Sequence, residues 1–290
     1  MIAIGYPDRA TLSSWHGDFT AQSAIFGPLR ELVTELSAGN RVSWPRLDDY
    51  QRLLEQTTGG LRSRNNAVIH FVDQQRRMPG FENGYEPRIY LHGEVQTRRQ
   101  NWHDLFQLFI WCQFPQTKIQ LNALHYHAAL ERLSARRARL NRSPLENAIT
   151  LFDECGVIIA SSNSLLLQLI RDMQWWELFW LNRDGLAGQL HCIVFGHALY
   201  EKAMKPYPGL TANALLVETD PAFHQLGTRQ QWHWLDSHVC NTFASAADSL
   251  TPRYLYPFPI LGMPGWDRDN RYPDYYANRD YFRSSRRGSR

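Results

Sequence analysis

Long hydrophobic runs, paired cysteines, a marked excess of one charge and internal repeats are all missing from this sequence. No apolar run approaches the length needed to cross a bilayer, and Met1 to Gly5 has none of the features of a signal peptide. The expectation is a soluble, unsecreted, cytoplasmic protein with no membrane partner. The four cysteines, Cys112, Cys155, Cys192 and Cys240, are far apart and form no C-x-x-C pair, which argues against a zinc knuckle or a disulfide framework. Reduced thiols are expected. A net charge of +3 is too small to imply nucleic acid or an anionic membrane by itself. Against these absences stand 290 residues, 43% of them hydrophobic and 20% charged, enough for a substantial core. Aromatic residues make up 13%, including ten Trp, and such rings must be packed or used to hold flat ligands.

The densest pattern runs from Thr97 to Leu133 and reads as two helices broken at Phe114-Pro115. In the first, Trp102, Leu105, Phe106, Leu108, Phe109, Ile110 and Trp111 leave almost no polar face, which predicts a buried central helix. Pro115 lacks an amide hydrogen and biases Phe114 away from helix, so it marks the break and opens the second helix. There Ile119, Ala123, Tyr126, Leu130 and Leu133 recur at helical spacing. At the start of the stretch, Asn101 and Asp104 fit an N-cap with an acidic first turn. The alternative is that Arg98, Asn101, His103 and Asp104 gather donors, an imidazole and a carboxylate at the mouth of a pocket.

Before this stretch, residues 1 to 22 read as an irregular arm tacked down by Trp15 and Phe19. Helices follow from near Ser23 to a stop at Gly39, and from Leu47 to Gln56. Ala67 to Val72 and Arg88 to Val95 read as strands or a hairpin. After it, Ala148 to Glu154 and Val157 to Ser161 read as two strands around a turn at Cys155-Gly156, which puts Asp153 and Glu154 at or beside the turn. Turn chemistry accounts for Asp153, and a carboxylate pair at a strand end also suits a divalent cation or proton exchange. Leu165 to Trp180 reads as a helix, Leu190 to Phe195 as a buried strand, and Ala198 to Met204 as a helix after Gly196. His197 and Glu201, four apart, can share one face of that helix. This spacing fits a helix-stabilising contact, a metal-ligand pair, or an acid with its orienting carboxylate. Asn213 to Glu218 reads as a strand and Gln230 to Ala247 as a helix.

Arg132, Arg136, Arg137, Arg139 and Arg142 form a basic segment, read either as a solvated helix end and loop or as a phosphate-binding patch. From Thr251, four prolines interleaved with Phe258, Ile260, Leu261 and Trp266 describe an extended segment lying over the body. Residues 284 to 290 are expected to be disordered.

Six blocks occur in order: R-x-x-N-W-H-D-L-F at 98–106, F-P-x-x-K at 114–118, L-F-D-E-x-G at 151–156, F-G-H-A-L-x-E at 195–201, Y-P-G-L at 207–210 and P-x-P-I-L-G-M-P-G-W at 257–266. Together they resemble a proteobacterial family catalogued as domain of unknown function three-zero-two-five, over roughly residues 65 to 283. The resemblance implies a one-domain bacterial protein and carries no activity, so the chemistry rests on the residues.

The expected fold is a helix-rich single α+β domain over 1–283, with short, mostly antiparallel strands, an irregular arm at 1–22 and a Pro-rich extended segment at 251–283. Two functional readings follow. In the first, His103, Asp104, Asp153, Glu154, His197 and Glu201 are the acid-base candidates of a small hydrolase. His197 and Glu201 are metal-ligand candidates for a divalent cation, and Arg98, Asn101 and Lys118 bind a small anionic substrate. In the second, a non-catalytic module binds nucleic acid or protein through residues 132–142 and the Arg/Tyr-rich C-terminal segment.

Overall fold

The computed structural model describes residues 15–38, 43–76, 78–134 and 141–284. Four expectations fall outside them: the arm before Trp15, the stop at Gly39, the roles of Arg136, Arg137 and Arg139, and the tail from 285. The fold is α+β, and the chain forms two compact units, each assembled from three stretches. The first holds Met1–Asp18, Leu29–Thr150 and Trp232–Pro252; the second holds Phe19–Pro28, Leu151–Gln231 and Arg253–Arg290.

In the first unit, α1 (Arg30–Ser37) and α2 (Leu47–Thr58) precede a two-stranded parallel pair, β1 (His70–Asp73) with β2 (Glu94–Thr97). Between these strands lies α3 (Tyr85–His92), where the sequence suggested a strand. The run Ile89-Tyr90-Leu91 has strand-forming side chains, but helix punctuation encloses it. Pro87 sits in the first turn, and Gly93 closes the helix with φ 75°. A Cβ on Gly93 would lie 1.9 Å from the Val68 carbonyl oxygen, so only glycine fits this reversal into β2.

Helix α4 (Trp102–Gln113) is the apolar axis that its sequence predicts, with Leu105 to Trp111 all buried. Trp15 stacks on Trp102 with ring centroids 5.6 Å apart, and Trp44 meets the same ring edge-on at 5.0 Å. The arm is therefore tacked down at Trp15 as expected. Helix α5 (Pro115–Ser134) opens at Pro115 after the break at Phe114. Phe114 has no side-chain acceptor for the free amides of the first turn. Asp236, from the helix Thr228–Ala246, supplies both carboxylate oxygens instead, accepting from Gln116 N at 3.0 Å and Thr117 N at 2.8 Å. Burial holds the Asp236 carboxyl above its usual value despite these hydrogen bonds.

Helix α6 (Pro144–Cys155) replaces the first of the two strands expected around Cys155. Its start has a reciprocal cap: Glu146 N donates to Ser143 Oγ at 3.1 Å, and Ser143 N donates to Glu146 Oε2 at 2.7 Å. Pro144 at the first helical position completes the signature. The branched run Ala-Ile-Thr-Leu-Phe obscured this signal. Residues of α6 up to Thr150 belong to the first unit, and the remainder belong to the second.

The second unit is built on a four-stranded mixed sheet of order β4-β3-β5-β6. Its strands are β3 (Gly156–Ser161), β4 (Leu190–Val194), β5 (Thr211–Glu218) and β6 (Tyr256–Pro259). Strand β3 is fully buried, pairing antiparallel with β4 and parallel with β5. Around the sheet lie α7 (Ser164–Arg171), α8 (Arg183–Gln189), α9 (His197–Ala203) and the start of α10 (Thr228–Ala246). The helix expected over 165–180 is interrupted after Arg171, where Met173 takes φ 54°, and resumes as one π-helical stretch at Glu177–Leu181. After β6, Ile260, Leu261 and Phe282 are buried, and the hydroxyls of Tyr276 and Tyr281 donate to Gly262 O at 3.1 Å and Leu210 O at 2.6 Å. The Pro-rich tail is thus bound into its unit, with Pro257 and Pro259 on an edge strand that tolerates missing amides. All four cysteines are free, and among the described residues no helix is long and apolar enough to cross a membrane.

Glu146, 1% exposed, also receives Arg132 Nε at 2.9 Å. Burial raises its pKa, but the hydrogen bonds from Arg132 and Ser143 outweigh this and hold the carboxyl below its ordinary value. A depressed folded-state pKa stabilises the protein above the unfolded value, and this contribution is lost as pH falls through the folded value. Glu146→Gln is expected to cost roughly 2 kcal/mol at pH 7. The gap from the parent should close as pH drops below about 4. Denaturant titrations of both proteins at pH 7 and pH 3 measure it.

Candidate functional site

Helix α6 runs into β3 without a loop, and β4 runs into α9 after only Phe195 and Gly196. Gly156 O accepts from both Phe195 N (3.0 Å) and Gly196 N (2.8 Å), tying the second crossing to the first. The Phe152 and Phe195 rings stack above this junction with centroids 4.5 Å apart. A Cβ on Gly196 would come within 2.5 Å of Glu154 O and 2.6 Å of Cys155 Cα, so two backbones meet where only glycine leaves room.

This junction brings three of the candidate residues together. His197, the first residue of α9, is 2% exposed and lies between the last-turn carboxylates of α6. Its Nδ1 is 3.7 Å from Asp153 Oδ2, and its Nε2 is 3.7 Å from Glu154 Oε2. Both separations fall within ion-pairing range and just outside hydrogen-bond range. Asp153 and Glu154 therefore occupy a helix end where the sequence suggested a hairpin turn. Glu201 sits one turn further along α9 and is exposed. Lys202, next to it, donates to Cys155 Sγ at 3.2 Å. Burial lowers the Lys202 pKa, but the Cys155 sulfur offsets this and leaves the ammonium above its ordinary value.

An imidazole with one carboxylate on each ring nitrogen has a defined chemistry. A carboxylate facing Nδ1 orients the ring and fixes its tautomer, leaving Nε2 to bind a cation or move a proton. Two donors bound about 2 Å from one ion lie about 3 to 4 Å apart, so Nε2 and Glu154 Oε2 have a separation that fits a shared divalent cation.

The candidates at the start of α4 belong to the first unit. Asn101 Oδ1 accepts from Asp104 N at 3.1 Å, the N-cap that its sequence predicts. Asp104, itself buried, accepts from Arg98 N at 2.6 Å, Nε at 2.9 Å and Nη2 at 2.8 Å. Arg98, Asn101 and Asp104 thus close the loop from β2 into α4, which is a structural use of all three. His103 is half-buried on the first turn of α4. Lys118 is buried on α5 with its ammonium over Trp111, 5.3 Å from the ring centroid. Two buried carboxylates that carry structure escaped the sequence reading. Glu146 was announced by the S-x-x-E spacing after Ser143, whereas Asp236 had no local signal because its partners lie more than a hundred residues away.

The model of a family described as "Protein of unknown function (DUF3025)" matches residues 69–286. The chain belongs to this family. The match spans both the α4 start and the α6–β3–β4–α9 junction. No curated protein and no solved structure matches the chain.

Gly196→Ala is expected to lower stability by about 2 kcal/mol or more, because backbone has to shift at Glu154 and Cys155. Gly188→Ala is the control: nothing lies within 4 Å of a Cβ there, and a helical Gly→Ala change is expected to be neutral or stabilising by about 0.5 kcal/mol. Thermal unfolding of the two variants gives opposite shifts if the close approach is as described.

Proposed function

We propose that the protein is a hydrolase of small anionic substrates whose chemistry centres on His197. The observation carrying this reading is the buried imidazole held between Asp153 and Glu154 at 3.7 Å on each side. A buried ring has no structural need for two carboxylates, and desolvating the imidazole beside the mostly covered Asp153 costs stability. In this reading Asp153 orients the ring. Nε2 and Glu154 activate water, either by accepting its proton or by sharing a divalent cation that lowers its pKa. The Lys202 ammonium holds the anionic part of the substrate. A functional part for His103, Asp104, Glu201, Arg98, Asn101 and Lys118 rests on the sequence argument, and the same assays test them one at a time.

Metal content of the purified protein, measured by mass spectrometry beside His197→Ala, Glu154→Gln, Glu201→Ala and His103→Ala, tests the metal branch. A near-stoichiometric divalent ion retained by Glu201→Ala and lost from folded His197→Ala and Glu154→Gln supports the cation shared by that pair. Loss from Glu201→Ala as well assigns it the ligand role its spacing suggests. A screen of phosphoester, carboxylic ester and amide substrates tests the chemistry, with His197→Ala expected to lose activity by roughly a hundredfold or more. Full activity in His197→Ala would end the proposal.

Nucleic-acid binding is favoured by one feature of the C-terminal segment. Tyr272 is 52% exposed with the Arg271 guanidinium 4.8 Å from its ring centroid, a surface on which a base can stack. Arg132 contributes little to such a surface, since it is committed to Glu146. Single-stranded oligonucleotide binding that weakens steeply between about 50 and 200 mM salt and falls in Tyr272→Ala is the expected signature. Binding indifferent to salt would count against it.

A further inference from the structure

The second unit holds another pairing of reactive side chains, at the opposite end of β3 from His197. Ser162 directly follows β3, and His224 lies in a 3-10 turn (Pro221–Gln225) just beyond β5, the parallel neighbour of β3. Both stand at the carboxyl ends of adjacent parallel strands, where open sheets place their ligands. His224 Nε2 lies 2.9 Å from Ser162 Oγ and accepts the Ser162 backbone N–H at 3.3 Å. Because an amide N–H can only donate, Nε2 carries the lone pair, and the Ser162 hydroxyl must donate to it as well. This is the protonation state of a general base set against a serine nucleophile.

Two further observations separate the pair from a simple turn contact. In this tautomer Nδ1 of His224 carries the proton, yet it is buried with no hydrogen-bond partner among the described residues. A buried donor left unmatched is a cost that capping a turn does not explain. The pair also has an aromatic wall and an accessible side. His191 and Phe223 lie with ring centroids 5.1 Å and 5.6 Å from that of His224, Ser162 and His224 are only half-buried, and Leu165 nearby in sequence is largely exposed. Burial, aided by His224, holds His191 below its usual pKa, which keeps a second positive charge away from the base.

We propose that Ser162 and His224 form a nucleophile–base dyad that transfers the apolar acyl group of a carboxylic ester. Ser162 Oγ bonds to the carbonyl carbon as its proton passes to His224 Nε2. The carbon–oxygen bond to the alcohol then breaks, and the departing oxygen takes that proton. Water repeats the sequence in reverse on the acyl-serine, releasing the acid and restoring both groups. The dyad is independent of His197: β3 is six residues long, which places the two ends roughly 17 Å apart.

The test is labelling of the full chain with an alkyl fluorophosphonate, located by peptide mass spectrometry, for the parent, Ser162→Ala, His224→Asn and the heat-unfolded parent. The dyad predicts one adduct on Ser162 in the folded parent, absent from Ser162→Ala and from the unfolded chain, and formed at least tenfold more slowly in His224→Asn. If His224→Asn proves misfolded by circular dichroism, His224→Gln serves the same comparison, and the folded-against-unfolded contrast stands without either. No adduct on Ser162 in the folded parent, or an equal rate in the folded and unfolded chain, overturns the proposal.

Discussion

Backbone packed directly against backbone at Gly156 and Gly196 is the constraint on which the second unit depends. A helix end, a central strand and a strand-to-helix turn converge there with almost no intervening chain. Gly156 cannot carry a side chain, because a Cβ would lie 2.3 Å from Phe152 O. Gly196 is excluded from one by Glu154 and Cys155. The closeness has a chemical result. Because α9 begins at the residue after Gly196, its first side chain has nowhere to go except between the last two acidic residues of α6. The position of His197 is thus set by main-chain geometry, the most rigid element a protein can use to hold a reactive group.

The first unit solves a different problem. Its axis, α4, offers the core almost only apolar surface, Gln107 with the Tyr85 hydroxyl being an exception, so many polar needs of the surrounding elements are met at helix ends. Asn101 caps α4, Asp104 ties in Arg98, Asp236 caps α5, and Ser143 with Glu146 caps α6. The hydrophobic effect supplies the drive, and these caps specify where each helix starts.

What could be read from the sequence follows from the range of the interactions involved. The break at Phe114-Pro115, the burial of α4, the anchoring of Trp15 and the strand-to-helix switch at Gly196 were legible because local pattern and local chemistry agree there. Arg88 to Leu91 and Ala148 to Glu154 carry branched and aromatic side chains that suit a strand, while glycine, proline and a capping serine at their flanks favour helix; the flanks prevailed. At the candidate site, the types of His197, Asp153 and Glu154 were visible, but their meeting depends on α6 being a helix that ends at Cys155. Ser162 and His224 gave no signal at all, since only the parallel pairing of β3 with β5 brings residues 62 positions apart into contact.

The threading of the chain bears on its birth as well as its final form. The first turn of α5 relies on a carboxylate that lies 120 residues further along the polypeptide. A ribosome working from the amino end therefore exposes the apolar α4–α5 pair long before Asp236 has been made, and β3, β4 and β5 are synthesised in the interval. Neither unit can close until its last stretch, Trp232–Pro252 in the first and Arg253–Arg290 in the second, has been made. That is a reason to expect it to lean on holdase-type assistance during synthesis more heavily than a chain of the same length whose units are sequential.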